Sequence, residues 1–170
     1  VPGLTDVLCG APRPGHFRGV TTVVSKLLGI VRPHVAAFGA KDLQQVLVIK
    51  KMVGDLSINT EIEVVPTVRE PDGLAMSSRN GYLSHDERKL APLFSRTLEE
   101  TATRVAESGS DIETLMAEGK AILSNAGFVV DYLEARHTYD LSEASSLNQE
   151  TAIFGAAFLG TTRQIDNRIV

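Results

Sequence analysis

Apolar positions in the first part of the chain follow helical and strand spacing in turn. They recur every three or four positions across residues 20–31, which predicts an amphipathic helix that Pro33 ends. The apolar run at residues 35–38 predicts a buried parallel strand. Helical spacing returns over residues 43–56, and residues 58–65 then alternate apolar with polar positions like a strand. This order of elements favours crossover units and a parallel sheet.

Two helix-start signals follow residue 80, where the sequence changes character. Ser84 with Glu87 is a capping box that predicts one helix, and Ser110 with Glu113 repeats the pattern for a second. Gly127 is a suitable end for the second helix. The predicted apolar faces carry Leu90, Leu93, Phe94, Leu98 and Val105 in the first helix and Ile112, Leu115, Met116, Ile122 and Leu123 in the second.

Three segments near the end of the chain, residues 128–136, 152–159 and 162–169, are each predicted to form a strand. Two helices followed by three strands favour a small α+β domain. We therefore predict an α/β fold in which a parallel sheet is followed by a small α+β domain, with the boundary near residues 68–82.

The composition is that of an ordinary globular protein, and the charge argues against two classes of binding partner. Of 170 residues, 43% are hydrophobic and 22% charged, and the net charge of −4 gives no electrostatic basis for binding nucleic acid or an anionic membrane. Cys9 is the only cysteine, which excludes an internal disulfide and fits a reducing compartment. No apolar run approaches the roughly twenty residues of a membrane span, so we expect a cytoplasmic protein.

The most distinctive polar segment is Met-Ser-Ser-Arg-Asn at residues 76–80. Ser77 and Ser78 offer hydroxyl and backbone donors, and Arg79 offers a planar, permanently charged guanidinium. Because arginine–phosphate pairs are strong, charge-assisted hydrogen bonds, the segment predicts a polyphosphate site. The alternative interpretation of this stretch alone is a solvated polar linker.

Two further turns are predicted to lie at one edge of the parallel sheet. Residues 39–42, the Gly-Ala-Lys-Asp turn, follow the first predicted strand, and residues 67–69 follow the second. In parallel sheets ligands bind beyond the carboxyl ends of the strands. Residues 76–79, the Met-Ser-Ser-Arg loop, can fold back over that edge. We therefore expect the three segments to meet around one bound polyanion.

A basic, turn-rich segment at residues 13–19 leads into the first predicted helix and contains Arg13 and His16. A helix start has unpaired N–H groups and partial positive charge, so this segment is a candidate anion site. An ordinary loop with one half-buried histidine is the alternative.

Several motifs stand together in this chain with their spacing intact: Phe-Gly-Ala-Lys-Asp-Leu-Gln-Gln at residues 38–45, Pro-Thr-Val-Arg-Glu at residues 66–70 and Gly-Leu-Ala-Met-Ser-Ser-Arg-Asn at residues 73–80. In these motifs the sequence resembles the pantothenate synthetase (pantoate–β-alanine ligase) family. Further similar segments are residues 13–17, 130–134 and 159–167. The resemblance covers essentially the whole chain, which makes it far more specific than any single motif.

The resemblance implies an ATP-dependent ligase of pantothenate biosynthesis, in the coenzyme A pathway. Pantoate's carboxylate would attack the α-phosphorus of ATP with Mg²⁺ assistance, giving pantoyl adenylate and pyrophosphate, and the amine of β-alanine would then displace AMP. No covalent enzyme intermediate is needed, so the protein positions substrates and stabilises charge. The resemblance also implies a homodimer.

The implied fold is a Rossmann-like nucleotidyltransferase sheet, of which residues 1–67 form the C-terminal part. The small α+β C-terminal domain, residues 68–170, carries the Met-Ser-Ser-Arg loop at its start. The four histidines are His16, His34, His85 and His137, and none belongs to the His-x-Gly-His signature of the family's first half. We therefore expect the chain to correspond to the C-terminal portion of such an enzyme, and to turn over poorly or not at all by itself.

The resemblance assigns the family's site residues to those positions of this chain that match the family's motifs. Those implied to bind ATP are Gly39, Ala40, Lys41, Asp42, Val68, Met76, Ser77, Ser78 and Arg79. Those implied to act in catalysis are Lys41, Ser77, Ser78 and Arg79. Lys41 would neutralise the phosphates in the transition state, and the Met-Ser-Ser-Arg loop would be the mobile phosphate loop. Gln45 would bind the hydroxyl and carbonyl oxygens of pantoate, with Arg13 and His16 near that site, and no residue is assigned to a metal.

Simpler roles are the alternatives for these residues. Lys41 and Asp42 would be a helix-capping pair, Gln45 a surface glutamine and Met76 core filler. Ala40 departs from the family pattern, which usually has Glu there, so a substrate contact or the packing of the turn differs.

Two other functions remain open at this stage. One is a catalytically incomplete module that binds ATP or serves in dimerisation. The other is a different adenylate-forming transferase on the same fold.

Overall fold

The computed structural model describes residues 1, 3–108 and 111–170. The chain divides into two compact units. The first unit comprises Val1–Pro66 with Tyr139–Leu141, and the second comprises Thr67–Thr138 with Ser142–Val170. No helix among the described residues has the length and apolar character needed to cross a membrane.

The first unit contains two parallel strands and two helices, in the order α1 (His16–Val31), β1 (Val35–Gly39), α2 (Leu43–Asp55) and β2 (Glu61–Val65). The register pairs Val35 with Glu61 and ends with Gly39 beside Val65, which confirms the predicted parallel sheet. Leu28 of α1 packs against Ile49 and Met52 of α2, and the inner faces of both strands cover this small core.

Two expectations for the first unit were wrong in detail. Helix α1 begins at His16 rather than near residue 20, directly after Gly15, which adopts a left-handed conformation (φ 81°) that favours glycine. Strand β1 is not buried: its residues alternate between exposed and half-buried, and Val35 is 48% exposed. The sheet of this unit has two described strands, so β1 has β2 as its one described neighbour.

The second unit combines three helices with an antiparallel sheet. The elements are α3 (His85–Leu90), α4 (Pro92–Ser108), α5 (Ile112–Asn125), β3 (Val129–His137), β4 (Thr151–Leu159) and β5 (Thr162–Ile169). The strand order is β3-β4-β5. Apolar side chains of the sheet pack on α4 and α5, and Phe94, Leu98, Leu123, Leu133 and Ile153 form the centre of this core.

The first predicted helix of this unit is two helices. The capping box is confirmed, since the Ser84 hydroxyl accepts from Glu87 N and the Glu87 carboxylate accepts from Ser84 N. The helix stops at Leu90, because Pro92 has no N–H to donate and its ring displaces the preceding turn of helix. Pro92 instead opens α4, where a missing N–H costs nothing.

The start of α5 differs from the prediction. Ser110 lies outside the described residues, and Asp111 caps the helix by accepting from Glu113 N at 3.2 Å. Ile122, predicted on the apolar face, is 44% exposed. Gly127 follows the helix in a left-handed conformation (φ 99°), as the sequence predicts.

Candidate functional site

The Gly-Ala-Lys-Asp turn lies where β1 ends and α2 begins. Gly39 is the last residue of β1, and residues 40–42 make one 3-10 turn before the helix. Because Gly39 pairs with Val65, the carboxyl ends of both strands lie at one edge of the sheet. Asp42 occupies the N-cap position of α2, but its side chain makes no capping hydrogen bond. Asp42 is an exposed residue, and without that hydrogen bond its side chain does not cap the helix.

Arg13 and His16 are neighbours in the first unit. Nη2 of Arg13 lies 2.9 Å from Nδ1 of His16. An arginine can only donate, so Nδ1 accepts in this contact, which fits the imidazole tautomer with its proton on Nε2. Partial burial lowers the pKa of His16, the positive charge of Arg13 lowers it further, and the Asp42 carboxylate opposes both effects. The structure thus places the two candidate pantoate residues within electrostatic reach of the Gly-Ala-Lys-Asp turn.

The adjacent glutamines of α2 have different surroundings. Gln44 is 5% exposed, and its amide nitrogen donates to the carbonyls of Leu4 (2.9 Å) and Val7 (2.8 Å). Its amide oxygen accepts from Cys9 N at 3.1 Å. Gln45 is only half-buried. Sequence analysis overlooked Gln44, although its spacing of four and eight from the buried Val48 and Met52 marks it as an inward position.

A short hairpin in the second unit precedes the Met-Ser-Ser-Arg loop. Arg69 and Ala75 form an isolated antiparallel bridge, and Glu70 N donates to Leu74 O at 2.8 Å. Gly73 turns the chain with φ 88°, a conformation that favours glycine. Val68, one of the residues expected to bind ATP, is 63% exposed.

The Met-Ser-Ser-Arg loop is fixed at both ends by hydrogen bonds. Met76 N donates to Val68 O at 2.9 Å, and the Asn80 side chain donates to Ala75 O at 3.1 Å. Inside the loop, the Ser77 hydroxyl accepts from Arg79 N at 3.2 Å.

These bonds leave the side chains of the loop available to a ligand. Ser78 and Arg79 are exposed, and Ser77 is half-buried. Met76 is 50% exposed, which excludes a role as core filler. The loop therefore presents hydroxyl groups and a guanidinium from a backbone that is hydrogen-bonded at both ends.

A buried carboxylate anchors the hairpin, and sequence analysis did not find it. Arg69 makes a bidentate ion pair with Asp166 of β5, with Nη–O distances of 2.8 and 3.1 Å. The Asp166 side chain is 1% exposed and also accepts from the Ser95 hydroxyl at 2.8 Å. A second ion pair joins Asp72 to Arg88 at 2.6 Å, and the hydrogen bond from Arg88 lowers the pKa of Asp72.

The predicted site residues thus fall in two places. Arg13, His16, Asp42 and the rest of the Gly-Ala-Lys-Asp turn belong to the first unit with Gln45, while Val68 and the Met-Ser-Ser-Arg loop belong to the second. Among the residues that the structure describes, no group of three or more His, Cys, Asp or Glu side chains is arranged to hold a metal ion.

The sequence matches the family model described as pantoate-beta-alanine ligase over residues 1–169. The pantothenate synthetase of Shewanella sediminis is 53% identical over 167 residues, which are 98% of this chain and 59% of the relative. The pantothenate synthetase of Pseudomonas putida is 52% identical, with 98% and 58% covered. The chain therefore spans less than two thirds of the length of these curated relatives.

Solved structures give the same result. The pantothenate synthetase from Thermus thermophilus matches with a TM-score of 0.93 at 41% identity, over 99% of this chain and 61% of that one. The pantoate-beta-alanine ligase from Francisella tularensis, solved in complex with beta-gamma ATP and beta-alanine, matches with a TM-score of 0.73 at 36% identity, over 98% and 55%. These matches confirm the predicted nucleotidyltransferase-like α/β fold.

Proposed function

The chain belongs to the pantoate–β-alanine ligase family, and we propose that the protein carrying it condenses pantoate with β-alanine at the expense of ATP. The observation that carries this proposal is the family match over residues 1–169. The ordered, exposed Met-Ser-Ser-Arg loop supports it, since Ser and Arg donors suit a polyphosphate. The ATP and β-alanine named for the Francisella tularensis structure agree with the proposed substrates.

The proposed reaction has two steps. A carboxylate oxygen of pantoate attacks the α-phosphorus of ATP, an O–P bond forms, and pyrophosphate leaves. The amine of β-alanine then attacks the acyl carbon of pantoyl adenylate, and the C–O bond to AMP breaks. Both steps depend on alignment of the reacting groups and on neutralising charge as it develops.

The charged and hydroxyl side chains are proposed to act on ATP. Lys41 neutralises phosphate charge in the transition state, and Ser77, Ser78 and Arg79 bind phosphate oxygens. Gly39, Ala40, Asp42, Val68 and Met76 complete the proposed ATP contacts, with the adenine against Val68. Mg²⁺ is proposed to enter with ATP, because this ion usually binds substrate phosphates together with few protein ligands.

Three residues of the first unit are proposed to bind pantoate. Gln45 is half-buried on α2 and has amide groups for the hydroxyl and carbonyl oxygens of pantoate. Arg13 supplies positive charge for the carboxylate. Because Nδ1 of His16 accepts from Arg13, its Nε2–H is the donor that it offers to pantoate.

We also propose that residues 1–67 and 68–170 are separate domains of an enzyme that works as a cytoplasmic homodimer, as the family resemblance implies. A catalytically incomplete module remains the second candidate, since the chain spans 59% of its relative from Shewanella sediminis. Under both candidates we expect the isolated 170-residue chain to form little or no pantothenate. The activity of the complete gene product separates them.

The proposal is tested with the complete gene product that carries this chain, supplied with pantoate, β-alanine and MgATP. We expect pantothenate and AMP in equal amounts. Activity with other amines but not β-alanine would assign a different adenylate-forming transferase. Absence of AMP and pantothenate from a folded protein would contradict the proposal and favour the module.

A further inference from the structure

We infer that Asp166 is a positioning residue for the Met-Ser-Ser-Arg loop and that it acts through Arg69. This inference rests on the proposed function, in which the loop binds the phosphates of ATP. Asp166 and Arg69 both lie in family-like motifs, yet the proposed chemistry gives neither a role.

Asp166 is a fixed point in the second unit. Its carboxylate is almost fully buried on β5 and accepts from the Ser95 hydroxyl of α4 and from Asn167 N at 2.9 Å. Arg168 lies 3.3 Å from both carboxylate oxygens. A buried carboxylate is stable only when it is paired and hydrogen-bonded, so these donors hold the group in one orientation.

Arg69 connects the fixed carboxylate of Asp166 to the hairpin that precedes the loop. Its two terminal nitrogens bind the two oxygens of Asp166, and one of them also donates to Gly73 O at 3.2 Å. The same side chain therefore contacts the tip of the hairpin and the sheet. A bidentate arginine fixes direction as well as distance, which a lysine cannot do.

The last link joins the hairpin to the loop. Arg69 pairs with Ala75 across the hairpin, and the Ala75 carbonyl accepts from the Asn80 side chain at the far end of the loop. The hairpin between Arg69 and Ala75 is closed by backbone hydrogen bonds from Glu70 N to Leu74 O and from Met76 N to Val68 O. A connected path therefore runs from Asp166 through Arg69, the hairpin backbone and Ala75 to Asn80. Ser77, Ser78 and Arg79 lie between the two ends of this frame.

Loss of the carboxylate charge should move the loop rather than unfold the domain. In the D166N variant, the amide nitrogen would face a donor nitrogen of Arg69 in either orientation, together with the Ser95 hydroxyl or with Asn167 N. The matched control is E134Q: Glu134 pairs with Arg136 at 2.6 Å, but on β3, at the opposite edge of the sheet from β5.

The experiment measures steady-state kinetics and hydrogen exchange on the complete gene product and on its D166N, R69K and E134Q variants. For D166N we expect kcat/KM for ATP to fall roughly 10- to 100-fold, as for displacements of about 1 Å at a reacting group. KM for β-alanine should stay near the wild-type value. Without nucleotide, the amides of residues 76–80 should exchange about 10-fold faster than in wild type. R69K should lie between wild type and D166N, and E134Q should match wild type.

The inference is overturned if D166N and E134Q lose thermal stability equally while kcat/KM for ATP and exchange at residues 76–80 stay unchanged. If D166N does not fold, the same two quantities are measured on R69K. Unchanged kcat/KM for ATP and unchanged exchange at residues 76–80 in R69K would overturn the inference. If the wild-type protein makes no pantothenate, the proposed function fails, and exchange still decides the link between Asp166 and the loop. Faster exchange in D166N then supports the link, and unchanged exchange refutes it.

Discussion

The two segments proposed to bind ATP are held in place in different ways. The Gly-Ala-Lys-Asp turn is set by regular structure, because Gly39 ends a paired strand and Leu43 begins a helix. The Met-Ser-Ser-Arg loop follows an irregular hairpin and is fixed by side chains, above all by Asn80 and by Arg69 with its partner 97 residues away. The Gly-Ala-Lys-Asp turn is thus positioned by the strand and helix on either side of it. The Met-Ser-Ser-Arg loop is positioned by side chains, one of which binds the distant carboxylate of Asp166.

Mutations in the two segments should therefore act in different ways. Changes in the Gly-Ala-Lys-Asp turn should affect chemistry through the side chain that is removed. Changes around the Met-Ser-Ser-Arg loop should also act from residues that touch no substrate.

Substitution of Lys41 should lower the reaction rate more than any other single change proposed below. In K41M the side chain keeps its length and loses its charge, so kcat should fall about 10²- to 10³-fold, the usual result of removing one group that stabilises transition-state charge. The matched control is K51M on α2, where Lys51 pairs with Asp55 at the surface and should leave kcat unchanged. Equal kcat in K41M and wild type would remove Lys41 from the proposed mechanism.

Arg79 should affect ATP binding more than the reaction itself. We expect R79A to raise KM for ATP roughly 10- to 100-fold and R79K to recover part of the loss, because lysine keeps the charge but not the planar guanidinium. R104A removes a surface ion pair with Glu118 and should change neither constant. An unchanged KM for ATP in R79A would exclude phosphate binding by this loop.

Gln44 and Gln45 are adjacent on α2, and we expect substitution of Gln44 to lower stability and substitution of Gln45 to weaken pantoate binding. Q44L removes three hydrogen bonds, among them the buried bond to Leu4 O, so it should lower the free energy of unfolding by about 1–3 kcal/mol. Q45L should raise KM for pantoate with little change in stability. Urea unfolding and steady-state kinetics on both variants measure the two effects. Reversed behaviour of the pair would mean that Gln44, not Gln45, faces pantoate.

His16 should give the smallest effect, visible in the pH dependence of stability. Its pKa is lowered in the folded protein, so the unfolded chain binds the proton more readily. Stability should therefore fall as the pH drops from above the ordinary histidine value of about 6.5 toward the lowered value. H16Q should show a smaller fall in melting temperature over this range, and an identical fall would contradict the assignment.

Much of the regular structure could be predicted from the sequence. The parallel pair of strands and the Ser84–Glu87 capping box follow from spacing over a few residues. The break at Pro92 was also visible in the sequence, but the apolar spacing across it suggested one helix. The predicted burial of β1 was too high, because the apolar character of a strand does not reveal how many neighbouring elements pack against it.

Side-chain partners could be predicted far less well. Neither the Asp166–Arg69 ion pair nor the Ser95 contact leaves a local pattern, because the partners are 97 and 71 residues apart. Gln44 was within reach, since it continues the inward spacing of α2. Motif similarity indicated candidate binding residues, but it did not indicate which residues hold them in place.

The most direct test of the proposed chemistry follows oxygen from substrate to product. The complete gene product is supplied with pantoate labelled with ¹⁸O in its carboxylate, together with β-alanine and MgATP, and the nucleotide product is analysed by mass spectrometry. If pantoyl adenylate forms, one labelled oxygen appears in AMP, because the C–O bond breaks when the amine attacks. Label in inorganic phosphate with ADP as the nucleotide product, or unlabelled AMP, would contradict the adenylate mechanism.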